Sequence, residues 1–136
     1  MYRILLVDDE WLELDTLEKY IPWEEMGFQV AGTAENGKEA LQLLERLEGS
    51  ENEGENDRKL PDVVLTDVKM PVMDGLEATR KIKAVNPTLP VIAVTAYAYD
   101  HDREKALQAG CNDYMTKPMD VTELKQKLSE FVKDKH

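Results

Sequence analysis

Three short apolar runs in this sequence end in groups that could share one site. MYRILLVDDE sets Asp8, Asp9 and Glu10 directly after an Ile/Leu/Val run, DVVLTDVKMPVMDG sets Asp67 after a second, and DYMTKP sets Lys117 after a third. Adjacent carboxylates repel one another and resist ionising together, so a fold that crowds them needs a compensating cation or a use for the strain. If the runs are parallel strands, their ends meet at one edge of a sheet, and two or three carboxylates converge there with one ammonium. Hard oxygen ligands of that kind suit Mg²⁺, which is usually held by one or two carboxylates plus waters and substrate phosphate oxygens. Taken singly, an Asp after a strand is commonly a turn residue or a helix N-cap; the recurrence of the pattern favours a site. Thr95 closes another apolar run, VIAVTA, where its hydroxyl could bond a phosphoryl oxygen or simply cap the next segment. Lys117 stands before Pro118, and an X-Pro bond can adopt cis in a tight turn.

The elements that must position these groups are legible in the hydrophobic pattern. Short runs at Tyr2–Val7, Phe28–Thr33, Asp62–Thr66, Pro90–Thr95 and Asp113–Thr116, the first four of them carrying Val or Ile, read as buried strands. Between them apolar residues recur at helical spacing: Leu14, Leu17 and Ile21; Ala40, Leu41, Leu44 and Leu47; Leu76, Thr79 and Ile82; Ala106 and Leu107; and Val121, Leu124, Leu128 and Phe131. Strict alternation of strand and helix implies right-handed crossovers and a parallel sheet covered on both faces, an α/β sandwich of three layers. Ligands in such sheets bind beyond the carboxyl ends of the strands, where strand order reverses. Pro22 and Gly27 flank the first helix-to-strand turn, Pro87 and Pro90 precede the fourth strand, Gly110 stops the fourth helix, and Asp120 caps the last.

At 136 residues the chain has the size of one domain, able to bury a core without disulfides or a structural metal. No apolar run approaches the roughly 18 residues that cross a bilayer, and Met1 leads into a strand with no signal-peptide pattern. The single Cys111 cannot form an internal disulfide; it fits a reducing, cytoplasmic setting and reads as a small buried hydrophobe. A formal net charge of −11 argues against non-specific nucleic-acid binding, since phosphates would be repelled. Part of that charge lies in Glu48–Asp57 (EGSENEGEND), five acids without a base, which reads as a solvated acidic loop over about 48–60; VKDKH reads as a charged tail.

With VDDE, LTDVKMPVMDG, VTA and DYMTKP in this order, the chain resembles the receiver domain of two-component response regulators across essentially its whole length. The resemblance implies a single receiver domain over 1–136 with a flavodoxin-like, doubly wound sheet of strand order 2-1-3-4-5; a receiver is among the cases for which that order is already described. It also implies site roles. Asp67 matches the phosphoacceptor, Asp8 and Asp9 the acidic pair for Mg²⁺, Thr95 the switch hydroxyl and Lys117 the phosphate-binding lysine. Tyr114 matches the aromatic that changes rotamer on activation, and the carbonyl of Lys69 would complete the metal shell. The implied partner is a sensor histidine kinase or a histidine phosphotransfer protein. A homodimer through the fourth helix, fifth strand and fifth helix is also implied, with no nucleic acid or membrane bound. Such a domain is a signalling phosphoacceptor, catalysing only its own phosphorylation and dephosphorylation.

Competing readings meet specific residues. An aspartyl-phosphate phosphatase would place a second Asp two residues after the nucleophile, where this chain has Lys69. A flavin module would want a Gly/Ser/Thr-rich phosphate loop after the first strand, and DDE would repel a phosphate. A receiver that serves only for docking has no need of the intact acid set with Thr95 and Lys117. His101 and His136 stand alone, away from any face suited to phosphorelay. The acidic loop is longer than usual for the family. The front half (EKYIPWEEMGFQVAGTAENGKEAL) looks most like receivers joined to AraC-type output domains and the back half more like those of hybrid kinases, which leaves room for an excised or engineered chain.

Overall fold

The computed structural model describes residues 2–49, 60–68, 73–96, 100–117 and 119–132. The elements run β1 (Tyr2–Val7), α1 (Trp11–Tyr20), β2 (Phe28–Ala34), α2 (Gly37–Gly49) and β3 (Val63–Asp67), followed by α3 (Gly75–Val85), β4 (Val91–Thr95), α4 (Asp100–Ala109), β5 (Asp113–Thr116) and α5 (Val121–Val132). The strands form one parallel sheet of order β2-β1-β3-β4-β5. This is the doubly wound α/β sandwich the pattern predicts. The strand limits differ from the apolar runs by one residue at Asp62, Thr33, Thr66 and Pro90, because the hydrogen-bond ladder, not the run of side chains, decides where pairing stops. The acidic stretch 50–59, Lys69, Pro118 and the tail beyond 132 lie outside the described residues. Among the described residues no helix is long and apolar enough to cross a membrane.

Alternate residues of each strand feed two separate cores. Ile4, Leu6, Val63, Leu65, Ile92, Val94 and Met115 meet Leu14 of α1 and Leu124, Leu128 and Val132 of α5 on one face. Leu5, Val7, Val64, Val91 and Ala93 meet Ala40, Ile82 and Ala106 on the other. A strand buried on both sides has no polar face, which is why these segments read as continuous apolar runs. Trp23, 5% exposed, closes the first core below α1 and donates its indole N–H to the Leu17 carbonyl at 2.9 Å. Two residues placed on the apolar stripes turn outward: Leu107 is 44% and Val121 37% exposed. Ala106 and Ala109 take the inward positions of α4, and Leu107 is rotated from Ala106 by about 100°.

Local signals end the elements as the sequence implies. Gly110 takes φ +109°, a left-handed conformation that costs glycine nothing, and the Cys111 N–H returns to the Ala106 carbonyl at 3.0 Å. Asp120 accepts the Thr122 N–H at 2.9 Å. Asp74 caps α3 by accepting the Glu77 N–H at 2.8 Å. Cys111 is buried at 5% exposure, with burial pushing its thiol above the ordinary value.

Gly75 decides how closely α3 approaches the site. A Cβ at this position would strike the backbone carbonyl of Asp67 and come within 3.2 Å of Thr66 Oγ1. The absent side chain lets the first residue of α3 press against the end of β3, where its N–H donates to the Val68 carbonyl at 2.8 Å. Gly75→Ala should therefore destabilise the protein by about 1–3 kcal/mol, the usual cost of overpacking, although alanine favours a helix by about 1 kcal/mol over glycine. Urea denaturation checks the sign, and a Gly75→Ala protein as stable as wild type would refute the close-approach argument.

Candidate functional site

Strand register brings the acids together. β1 pairs with β3 so that Val7 stands opposite Thr66, and the next residues along each strand are Asp8 and Asp67. This is also the point where strand order reverses, since the chain leaves β1 toward β2 on one side and resumes at β3 on the other. Carboxylate oxygens of Asp8, Asp9 and Asp67 all lie within 4.8 Å of one another. Asp8 is 2% exposed; its Oδ1 accepts the Glu10 N–H at 3.1 Å, and its own N–H continues the sheet to the Ala34 carbonyl at 3.0 Å.

Lys117 enters from the far side of the sheet. Thr116 pairs with Thr95, and the Lys117 N–H donates to the Thr95 carbonyl at 2.7 Å. From there its ammonium reaches Asp8 Oδ2 at 3.2 Å and Asp67 Oδ1 at 3.5 Å. The shortest contact is to Glu13 Oε2, at 2.6 Å. Glu13 is a member of the site that the sequence pattern does not single out. Its only local signal is an acid in the first turn of a helix that opens beside the Asp pair, and nothing in that turn points to a lysine 104 residues away.

The electrostatics follow from burial and crowding. Burial pushes the Asp8 carboxyl up to about 7 against the pull of the Glu10 N–H, with Glu13 and Asp67 raising it further and Lys117 opposing them. Asp67 is raised too, chiefly by burial, with Lys117 working the other way. Lys117 holds Glu13 below the usual carboxylate range. Although burial disfavours its charge, Lys117 itself is held above the ordinary lysine value by Glu13, Asp67 and Asp8. Three carboxylates, those of Asp8, Glu13 and Asp67, thus meet one ammonium, and the three aspartates offer only oxygen, a donor set that suits a hard divalent cation such as Mg²⁺.

Thr95 is buried at the end of β4, and Tyr114, opposite Ala93 on β5, is half-buried against the α2–α3–α4 core. Positions 93 and 95 share a face in a strand, so Thr95 and Tyr114 lie on the same side of the sheet, one step apart along it. Tyr114 is accordingly set back from the strand end that carries Thr95. Lys69, whose carbonyl the resemblance assigns to the metal shell, falls outside the described residues.

A family model described as the response regulator receiver domain matches residues 4–129. The chain belongs to this family, the receiver domains of two-component response regulators. It is 35% identical over 132 residues to the uncharacterized transcriptional regulatory protein YesN of Bacillus subtilis, covering 97% of this chain and 33% of YesN. An uncharacterized 14.6 kDa protein of Leptolyngbya boryana is 40% identical over 130 residues, covering 94% of this chain and 88% of that protein. Among solved structures, the receiver domain of the sensor histidine kinase PA1611 from Pseudomonas aeruginosa, with magnesium coordinated in its active-site cleft, superposes with a TM-score of 0.77 at 34% identity. That match covers 97% of this chain and 98% of the other. The chain thus spans a third of the length of YesN and nearly all of the isolated receiver.

The raised Asp8 value has a sign that can be tested in the metal-free protein. Between the ordinary aspartate value of about 3.9 and about 7, the folded chain binds more protons at Asp8 than the unfolded chain. Its contribution to stability is therefore fully present below the ordinary value and is lost as pH rises to 7. Urea denaturation in EDTA should show stability falling from pH 5 to pH 7.5 more steeply in wild type than in Asp8→Asn. Parallel pH profiles for the two proteins would contradict this assignment.

Proposed function

We propose that this receiver domain accepts a phosphoryl group on Asp67, from a phosphohistidine of a sensor kinase or phosphotransfer protein or from a small acyl phosphate. The observation that carries the reading is the placement of the Asp67 carboxylate at the strand-order reversal, among Asp8, Asp9 and the Lys117 ammonium. An Oδ atom of Asp67 forms the new bond to phosphorus as the donor's P–N or P–O bond breaks, and the leaving group keeps the electron pair. Burial disfavours the ionised nucleophile and Lys117 offsets part of that effect. Lys117 also offsets charge on the transferring oxygens. Asp8, Asp9 and Asp67, with the Lys69 carbonyl by the family pattern, are the groups that would hold Mg²⁺. When bound, the ion supplies further positive charge at those oxygens. Attack by water at phosphorus, with Asp67 leaving as carboxylate, resets the domain, so the chain acts on itself and not as an enzyme on other substrates.

Phosphorylation adds about −1.5 to −2 charges and strong acceptor oxygens. The Thr95 hydroxyl and Lys117 engage them, Tyr114 follows into space that Thr95 vacates, and the face built by α4, β5 and α5 changes shape for a partner or a second copy. One new hydrogen bond biases such an equilibrium by about 1–3 kcal/mol. The proposed setting is the cytoplasm, in keeping with the single buried thiol of Cys111.

Incubation with Mg²⁺ and acetyl phosphate should add one phosphoryl group to wild type by intact mass and none to Asp67→Asn. Uptake by Asp67→Asn at the wild-type level would sink the assignment. Thr95→Ala should still accept phosphate yet lose most of the NMR shift changes that beryllofluoride produces on α4 and β5. Unaltered changes there would remove Thr95 from the switch.

A further inference from the structure

Lys117 is held more closely by a residue outside the aspartate cluster than by any residue within it. Its ammonium is 2.6 Å from Glu13 and 3.2 Å from Asp8, but 3.5 Å from Asp67, which is longer than an ordinary N–H···O hydrogen bond. We propose, building on Asp67 as phosphoacceptor, that Glu13 is a positioning residue that draws Lys117 toward α1 and holds it off Asp67 until a phosphoryl group competes for the ammonium.

The geometry supplies the means. Glu13 sits in the first turn of α1, and that helix is tied to the site because its N-cap Glu10 donates a backbone N–H to Asp8. The backbone that carries Glu13 is therefore fixed beside the site, whereas the lysine charge rides on a longer, flexible four-carbon stem. The Glu13 side chain is 40% exposed and the Lys117 side chain 22%, so solvent weakens the pair to the scale of a partly exposed ion pair. Such a contact can restrain the ammonium without locking it. A phosphoryl group on Asp67 brings more charge and more acceptors than Asp67 alone, and the ammonium is then shared or surrendered.

Loss of the contact has two opposite consequences. Without a phosphoryl group, a released ammonium moves onto Asp8 and Asp67 and opposes a divalent cation at the same oxygens. With a phosphoryl mimic in place, the ammonium engages it without first leaving Glu13. Glu13→Gln should thus weaken Mg²⁺ binding and, at saturating Mg²⁺, tighten beryllofluoride binding, each by about 2- to 5-fold.

Removing any nearby negative charge would push both equilibria in these directions, so the contact must be separated from the charge. Glu10→Gln removes an exposed carboxylate at the same helix start that makes no capping bond, and Lys117→Met removes the proposed partner. Mg²⁺ titration by tryptophan fluorescence or NMR should show Glu13→Gln exceeding Glu10→Gln in wild-type background and matching it in Lys117→Met. Equal effects of Glu13→Gln in both backgrounds, or equal effects of the two glutamine variants, would overturn the proposal, as would unchanged or weaker beryllofluoride binding. If wild type fails to bind beryllofluoride at all, the phosphoacceptor reading fails, and the Mg²⁺ titrations still report whether Glu13 restrains Lys117.

Discussion

Crowding of like charge at the junction of β1 and β3 is the constraint around which this domain is arranged. The register that sets Asp8 beside Asp67 leaves two largely buried carboxylates in contact range, with Asp9 and Glu13 at their margin and Lys117 as the counter-charge. Desolvation makes that arrangement costly, which is why burial leads the causes raising both Asp8 and Asp67. Each neighbouring element answers the crowding. The start of α1 offers Asp8 a backbone N–H, the end of β5 delivers the ammonium, and α3 closes on β3 through a glycine.

The sheet can sustain this strain because the rest of it is conventional. Two apolar cores, one on each face, bury Ile4, Leu5, Leu6, Val63, Val64, Val91 and Ile92 completely. Close-packed strands of this kind hold their ends in place, so the backbone does not carry Asp8 and Asp67 apart to relieve their repulsion. This crowding lies at the edge where ligands bind in this architecture. On the proposed reading, that stored repulsion makes a cation and then a phosphoryl group welcome. On that same proposed reading, the β4–β5 pair, with Thr95 and Tyr114 on one face, would be the route by which their arrival reaches α4 and α5.

Much of this was determined by the sequence itself. Parallel strands buried on both faces must be apolar throughout, so β1, β3 and β4 announced themselves as Val-, Ile- and Leu-rich runs, and the strand ends pointed to Asp8, Asp9, Asp67, Thr95 and Lys117. Glycine and capping acids marked the stop of α4 and the start of α5 because those signals act over a few residues. Tertiary structure alone decided the rest. Leu107 faces solvent because the packing phase of α4 is set by its neighbours, and Gly75 matters because the start of α3 folds back onto the Asp67 carbonyl. Glu13 entered the site only through a contact with a residue 104 positions away. Local pattern records what a residue prefers; which distant charge a flexible side chain meets depends on strand register and helix packing, and those exist only once the chain has folded.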